Sequence, residues 1–166
     1  NIVGFDPRGV GRSSAIDCLT NAETDAAYAS NSYPDNDAEL AQMQVDSKDF
    51  ADKCKAENGA LQLYSTANAA RDMDILRELL GDSKLNFLGK SYGTYLGSLY
   101  AKFFPERVGK FVLDGAVDPT INSAQQTLQQ AVGFDSAFNA FAADCVKQSS
   151  CVFNSDASIQ IQSKLT

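Results

Sequence analysis

The 166-residue sequence contains no histidine and no tryptophan. Without histidine, these residues cannot by themselves supply a Ser-His-Asp or Cys-His catalytic set, or a zinc site with imidazole ligands. No apolar run reaches the roughly 18 residues of a membrane span, so no transmembrane segment is predicted. Basic residues are few, 14 against 21 acidic ones, and the net charge of −7 argues against nucleic acid or an anionic membrane as main partner.

The composition that remains is that of an ordinary globular chain, with 44% hydrophobic and 21% charged residues. Four cysteines are present, Cys18, Cys54, Cys145 and Cys151, and none forms a C-x-x-C pair. An even count at wide spacing favours two disulfides in an exported protein, with four buried thiols as the alternative. Of the three connectivities, we expect Cys18–Cys54 and Cys145–Cys151, which close the shortest loops.

Both ends of the sequence lack the features of a domain boundary. The segment Asn1–Phe5 has the pattern of a buried strand, and Ser158–Thr166 carries no stop signal. We therefore expect a piece of a longer protein, with a small complete domain as the alternative.

The middle of the sequence alternates strand and helix patterns. Apolar spacing and turn residues predict helices over 37–57, 67–80, 92–104 and 123–147, and strands over 85–89 and 108–113. Together with the first segment, this order predicts an α/β fold with a parallel sheet and crossover helices. Because three strands are too few for a doubly wound sheet, further strands are expected outside these residues. Residues 15–63 form a polar excursion that the first disulfide would tie to the body.

The strongest chemical signal is Gly89-Lys90-Ser91-Tyr92-Gly93, a G-x-S-x-G pattern between a strand and a helix. The two glycines permit a sharp turn that would raise the Ser91 hydroxyl above the sheet edge. The Tyr92 N–H would then point at a developing oxyanion. The alternative is a strand-to-helix turn with a capping serine.

The glycine-containing loop after the first segment gives a weaker functional signal. Gly9 and Gly11 form a G-x-G, but position 14 is Ser14 rather than glycine, which argues against a dinucleotide site. A short pair between Asp6 and Arg8 is expected to brace this loop.

Three further charged residues receive structural interpretations. Asp72 and Asp74 lie on the polar face of a helix and are expected to be solvated charges. Lys90 is next to Ser91, but neighbouring side chains at such a turn diverge, so a Ser-Lys dyad is not predicted.

Three blocks taken together resemble a known family: Phe5–Ser13, Gly89–Gly97 and Val112–Pro119. In this order they are similar to the α/β-hydrolase fold and, within it, to secreted tripeptidyl-aminopeptidase-like serine hydrolases related to prolyl aminopeptidases. The resemblance implies that residues 1–119 are the central part of the hydrolase core. It also implies that 120–166 begin a helical cap, and the cysteine pair after the third block fits the same group.

The resemblance implies an exopeptidase that releases short peptides from a free N-terminus through an acyl-enzyme on Ser91. Tyr92 would supply half of the oxyanion hole through its backbone N–H, and no cofactor or metal is implied. The catalytic Asp and His would come from the remainder of the polypeptide, so this chain alone is expected to be inactive. An esterase or lipase on the same scaffold, or a non-catalytic hydrolase-like module, remains an alternative.

Overall fold

The structure is a computed structural model that describes residues 2–153 and 157–165. The helices are α1 (Asn21–Ala29), α2 (Asp37–Glu57), α3 (Thr66–Leu79), α4 (Tyr92–Phe103), α5 (Ser123–Cys145) and α6 (Ala157–Leu165), and the strands are β1 (Leu85–Lys90) and β2 (Val108–Asp114). Short 3₁₀ turns lie at Leu61–Leu63 and Pro105–Arg107. The chain divides into two compact units, Asn1–Val117 and Asp118–Thr166. No described helix is both long and apolar enough to cross a membrane.

The first unit is organised around a β1–α4–β2 crossover. The two strands pair in parallel, with Phe87 opposite Phe111 and Lys90 opposite Asp114. Helix α4 packs on both strands and on α3. The centre of this contact is a small core of residues at most 5% exposed, namely Ala69, Ala70, Met73, Leu96 and Tyr100. The predicted α/β class with a parallel pair and a crossover helix is confirmed.

The sheet is covered on one face only among the described residues. Phe87 and Phe111 pack towards the core, and their ring centroids are 5.5 Å apart. Leu88 and Val112 alternate to the other face, where they are 62% and 59% exposed.

A buried ion cluster joins α3 to α4 and to the 3₁₀ turn before β2. Asp74 accepts hydrogen bonds from Arg77 Nε at 2.9 Å and from the Tyr100 hydroxyl at 3.2 Å, and it pairs with Arg107. Burial raises the pKa of Asp74, but the hydrogen bonds from Arg77 and Tyr100 and the nearby arginine charges outweigh it and leave that pKa below its ordinary value. The expectation that Asp74 is a solvated charge was therefore wrong.

The predicted strand over Asn1–Phe5 was also wrong for residues 2–5. These residues are irregular, Ile2 and Val3 are 102% and 58% exposed, and only Phe5 packs against the core. A strand is defined by its hydrogen-bonded neighbour, and no described segment pairs with residues 2–5. An apolar run was therefore not sufficient to define a strand here.

The excursion 15–63 has little core of its own. Helices α1 and α2 contain no buried residue. Cys18 lies at disulfide distance from Cys54 (S–S 2.09 Å), which is the predicted pairing and ties the start of the excursion to the end of α2. Helix α2 has the predicted bounds, whereas α1 was not predicted.

The second unit consists of α5 and α6, which pack on each other. Asn122 caps α5 by accepting a hydrogen bond from the Gln125 N–H at 2.9 Å. Cys145, the last residue of α5, lies at disulfide distance from Cys151 (S–S 2.08 Å), again as predicted. Helix α6 was not predicted.

Candidate active site

Ser91 is a single residue between the end of β1 and the start of α4. Its backbone has φ +50° and ψ −117°, and the side chain is exposed. Positive φ is costly for a residue with a side chain. Ser91 therefore lies in a strained strand-to-helix turn, which we call the elbow (residues 89–93).

The glycines of the elbow have different roles. A Cβ on Gly89 would lie 2.5 Å from the Gly93 carbonyl oxygen and 2.6 Å from the Phe87 ring, so only glycine fits there. A Cβ on Gly93 would meet nothing closer than the Phe87 ring at 4.0 Å. At Gly97, one turn further along α4, a Cβ would lie 2.9 Å from Phe87 and 3.0 Å from Leu113. The absence of a side chain at Gly89 thus lets the end of β1 lie against the Gly93 carbonyl, whereas its absence at Gly97 lets α4 pack closely on the sheet.

Backbone hydrogen bonds hold Ser91 on both sides. Its N–H donates to the Asp114 carbonyl at the end of β2 at 2.8 Å. Its carbonyl accepts from the Thr94 N–H at 2.9 Å and from the Thr94 hydroxyl at 2.7 Å. The sheet edge and the first turn of α4 together therefore fix the strained conformation.

Tyr92 is the first residue of α4. The first N–H groups of a helix have no intrahelical acceptor, and the helix dipole makes this end favourable for negative charge. The Tyr92 hydroxyl donates to the Thr66 hydroxyl at the start of α3 at 2.9 Å. The backbone N–H that sequence reasoning selected is thus placed beside Ser91 at a helix N-terminus.

The loop after Phe5 is braced differently from the prediction. Arg8 forms a bidentate pair with Asp72 of α3, with Nε to Oδ2 at 2.7 Å and Nη2 to Oδ1 at 2.6 Å, and also donates to the Leu63 carbonyl. Asp6 instead accepts the Arg12 N–H at 3.0 Å. The expected Asp6–Arg8 brace was wrong, and so was the expectation that Asp72 is merely solvated.

Close packing explains the shape of this loop. Gly9 has φ +83°, and a Cβ there would lie 2.8 Å from the Tyr64 ring.

An open cavity of about 490 Å³ lies between the loop and α3, lined among others by Arg8, Tyr64 and Asp72. Ser91 does not line this cavity.

The family assignment follows from a match that covers nearly the whole chain. The sequence profile of the alpha/beta hydrolase fold family matches residues 1–163. This chain belongs to the α/β-hydrolase fold family.

Individual relatives of this chain carry several names. It is 43% identical over 159 residues to "Serine protease Hip1" of Mycobacterium tuberculosis, covering 94% of this chain and 31% of that protein. It is 38% identical over 138 residues to "Tripeptidyl aminopeptidase" of Streptomyces lividans, covering 81% of this chain and 26% of that protein. It is 40% identical over 160 residues to "Carboxylesterase B" of M. tuberculosis, covering 95% and 31%. The chain thus spans 26% to 31% of the length of these curated relatives.

Sequence reasoning selected Ser91, Tyr92 and the elbow glycines, and the structure brings them together at one turn. It missed Thr94, Gly97 and the Asp114 carbonyl, which hold that turn in place. Gly97 was detectable as a glycine on the apolar face of α4. The Thr94 contact with Val117 and the Asp114 acceptor depend on the β1–β2 register and have no short-range signal.

Proposed function

We propose that Ser91 is the nucleophile of a serine peptidase that removes short peptides from free N-termini through an acyl-enzyme. The observation that carries the proposal is the strained, exposed Ser91 at a strand-to-helix elbow. The names of relatives, serine protease and tripeptidyl aminopeptidase, support peptide substrates. Together they favour acyl transfer over binding alone.

The reaction needs a base that these residues do not contain. In the first step the Ser91 hydroxyl adds to the scissile carbonyl while its proton passes to a general base. That base then delivers the proton to the leaving amine as the C–N bond breaks. In the second step water adds to the acyl-enzyme and gives a proton to the base, which returns it to the Ser91 oxygen as the Ser91–acyl bond breaks and the peptide acid leaves. Since the chain has no histidine, we propose that the base and its carboxylate partner belong to polypeptide outside this sequence.

The negative charge that develops on the carbonyl oxygen requires hydrogen-bond donors. The Tyr92 N–H, at the start of α4, has the position and helix-dipole setting for one of them. A second donor is proposed from outside this chain. We propose no metal or cofactor for the stabilisation of this charge.

We also propose a residual activity, a role for the C-terminal helices and a cellular location for this chain. The 166 residues alone should turn over peptides at only a residual rate, because removing triad members leaves at most about 10³–10⁴-fold acceleration over water. Residues 120–166, which fall within the second unit (Asp118–Thr166), are proposed as the start of a helical cap. The two cysteine pairs at disulfide distance support a secreted or cell-envelope location.

An esterase is the second candidate, and the 40% identity to a protein named carboxylesterase B favours it. Both activities would use the same elbow, so the fold does not separate them. Substrate preference is the property that distinguishes them.

The test is substrate competition on the longer protein that carries this sequence. Tripeptidyl, aminoacyl and N-terminally blocked tripeptidyl chromogenic amides would be compared with short acyl esters, each with a Ser91→Ala control. The proposal predicts the highest kcat/KM for the unblocked tripeptidyl amide and loss of turnover in Ser91→Ala. Preference for esters would favour the second candidate, and turnover that survives in Ser91→Ala would remove Ser91 from the mechanism.

A further inference from the structure

We propose that Thr94 is a positioning residue for the nucleophile, which it holds in its strained conformation by joining the Ser91 carbonyl to the loop after β2. This inference rests on the proposed role of Ser91. Thr94 lies one turn into α4 and is 1% exposed, so its hydroxyl is shielded from water. It is one of the largest fully buried side chains of the described residues, although it is polar.

The hydroxyl of Thr94 has two partners on different segments. It donates to the Ser91 carbonyl at 2.7 Å and accepts from the Val117 N–H at 2.9 Å. One side chain therefore satisfies an acceptor in the elbow and a donor in the loop that follows β2. Because both bonds use a single hydroxyl, they also fix its proton on the Ser91 side.

These bonds close a ring around the elbow. The Ser91 N–H is held by the Asp114 carbonyl at 2.8 Å, and Val117, three residues further, is held by Thr94. The segment 114–117 is therefore hydrogen-bonded directly to the Ser91 N–H and, through the Thr94 hydroxyl, to the Ser91 carbonyl. Strained backbone persists only where its surroundings over-determine it, and Thr94 supplies the part that comes from a side chain.

The branched side chain suits this role. A β-branched residue in a helix has few accessible χ1 rotamers, and threonine commonly uses one that places its hydroxyl on a carbonyl in the preceding turn. Loss of the hydroxyl would leave the Val117 N–H without its acceptor and one bond fewer on the Ser91 carbonyl. We therefore expect the Ser91 hydroxyl to lose its alignment with substrate, while residues that bind the rest of the substrate are unaffected.

The test measures acylation in the longer protein that carries this sequence. Thr94→Val removes the hydroxyl with nearly unchanged shape, Thr94→Ser keeps the hydroxyl, and Ser98→Ala is the matched control. Ser98 donates to the Thr94 carbonyl at 2.8 Å in the same helix, and among the described residues it forms no hydrogen bond with Ser91. The readouts are the pre-steady-state acylation rate constant per native molecule, kcat and KM.

Thr94→Val should lower the acylation rate constant and kcat about tenfold to a hundredfold, the scale of a small misplacement of a reacting group, with KM little changed. Thr94→Ser and Ser98→Ala should stay close to the unmodified protein. Equal acylation rates for Thr94→Val and the unmodified protein would overturn the proposal. Failure of the nucleophile assignment is distinguishable, because Ser91→Ala would then retain acylation.

If Thr94→Val yields too little native protein, replacing Val117 by its α-hydroxy analogue provides the same test from the other side. The resulting ester lacks the N–H that donates to Thr94 and leaves every side chain in place. A lower acylation rate constant per native molecule is expected. An unchanged rate constant in the ester variant would overturn the bridge between the elbow and the β2 loop.

Discussion

The elbow region and the excursion belong to the same compact unit but are held together by different means. Around the elbow, α4 packs against α3 and both strands, and the contacts include a buried ion cluster and a buried hydroxyl. In the excursion 15–63, neither α1 nor α2 contains a buried residue. That segment is held by a cysteine pair, by helix caps and by exposed ion pairs such as Lys53–Glu23.

The two kinds of contact have different consequences: close packing fixes the position of a residue, whereas a disulfide only keeps a segment attached. A nucleophile needs its backbone fixed to within a fraction of an ångström, and close packing with satisfied polar groups provides this. A covalent tie limits how far a segment moves without defining one packed arrangement. We therefore expect substitutions near the elbow to change chemistry or global stability, and substitutions in the excursion to act locally.

The largest expected effect is on chemistry at the elbow. In the longer protein, Ser91→Ala should lower turnover by several orders of magnitude, because it removes the hydroxyl on which the proposed acyl-enzyme forms. Steady-state assays beside an excursion control, Ser47→Ala on α2, measure the effect. Comparable losses in the two variants would break the proposed contrast.

The next effect is on stability at the ion cluster. Asp74→Ala leaves two arginines and the Tyr100 hydroxyl without their shared acceptor, and should cost about 3–5 kcal/mol, the range for breaking a buried ion pair. Asp52→Ala, which removes an exposed i,i+4 partner of Lys48 on α2, is the control and should leave the urea midpoint nearly unchanged. Equal midpoint shifts would contradict the distinction between the two regions.

The same cluster predicts a dependence on acid. Because the folded-state pKa of Asp74 is lowered, its stabilising effect is complete above the unfolded pKa of about 3.9 and is lost as pH falls through the folded value. The difference in unfolding free energy between the protein and Asp74→Asn should therefore shrink on acidification. Urea titrations from pH 7 downward measure it, and a difference that grows at low pH would contradict the sign.

A smaller and more local effect is expected for the excursion disulfide. Cys18 and Cys54 are separated by 36 residues in sequence. Replacing both by serine should lower the free energy of unfolding by about 2–4 kcal/mol. Hydrogen exchange should rise in residues 15–63 and remain unchanged in α3, β1 and α4. The control pair Cys145 and Cys151, separated by 6 residues, closes a shorter loop and should cost less. Faster exchange across the elbow would show that the two regions are coupled.

The smallest expected effect is at one exposed ion pair. Lys53, with help from the Thr20 N–H and hydroxyl, lowers the pKa of Glu23 to about 2. Lys53→Met should raise that pKa towards its ordinary value without a resolvable change in the unfolding midpoint. Carboxyl NMR titration gives the pKa, and an unmoved value would show that the pair does not form in solution.

Local patterns predicted most of the elements around the site. The ends of β1, α4 and β2 lie within one residue of their predicted bounds, because Gly89, Pro105 and alternating apolar residues mark them directly. Helix α1 was missed although Thr20 and Glu23 form a capping box, a four-residue signal that the polar composition around it obscured.

Long-range pairing was the part that the sequence could not supply. The distant partners of Asp72 and Asp74 are Arg8 and Arg107, 64 and 33 residues away in sequence. The local partner of Asp74, Arg77, does not by itself distinguish a buried charge from an exposed i,i+3 pair. The Thr94 bond to Val117 likewise spans 23 residues. Such contacts depend on which distant segments the folded chain brings together, and local patterns do not determine that.

Covalent labelling with a serine-directed reagent shows whether Ser91 is an activated nucleophile. The longer protein would be treated with a fluorophosphonate, whose phosphorus bonds to a nucleophilic serine oxygen as fluoride leaves, and then mapped by peptide mass spectrometry. The account predicts one adduct, on the peptide containing Ser91, and none in Ser91→Ala. An adduct on a different serine, or turnover that continues while Ser91 is fully labelled, would contradict it.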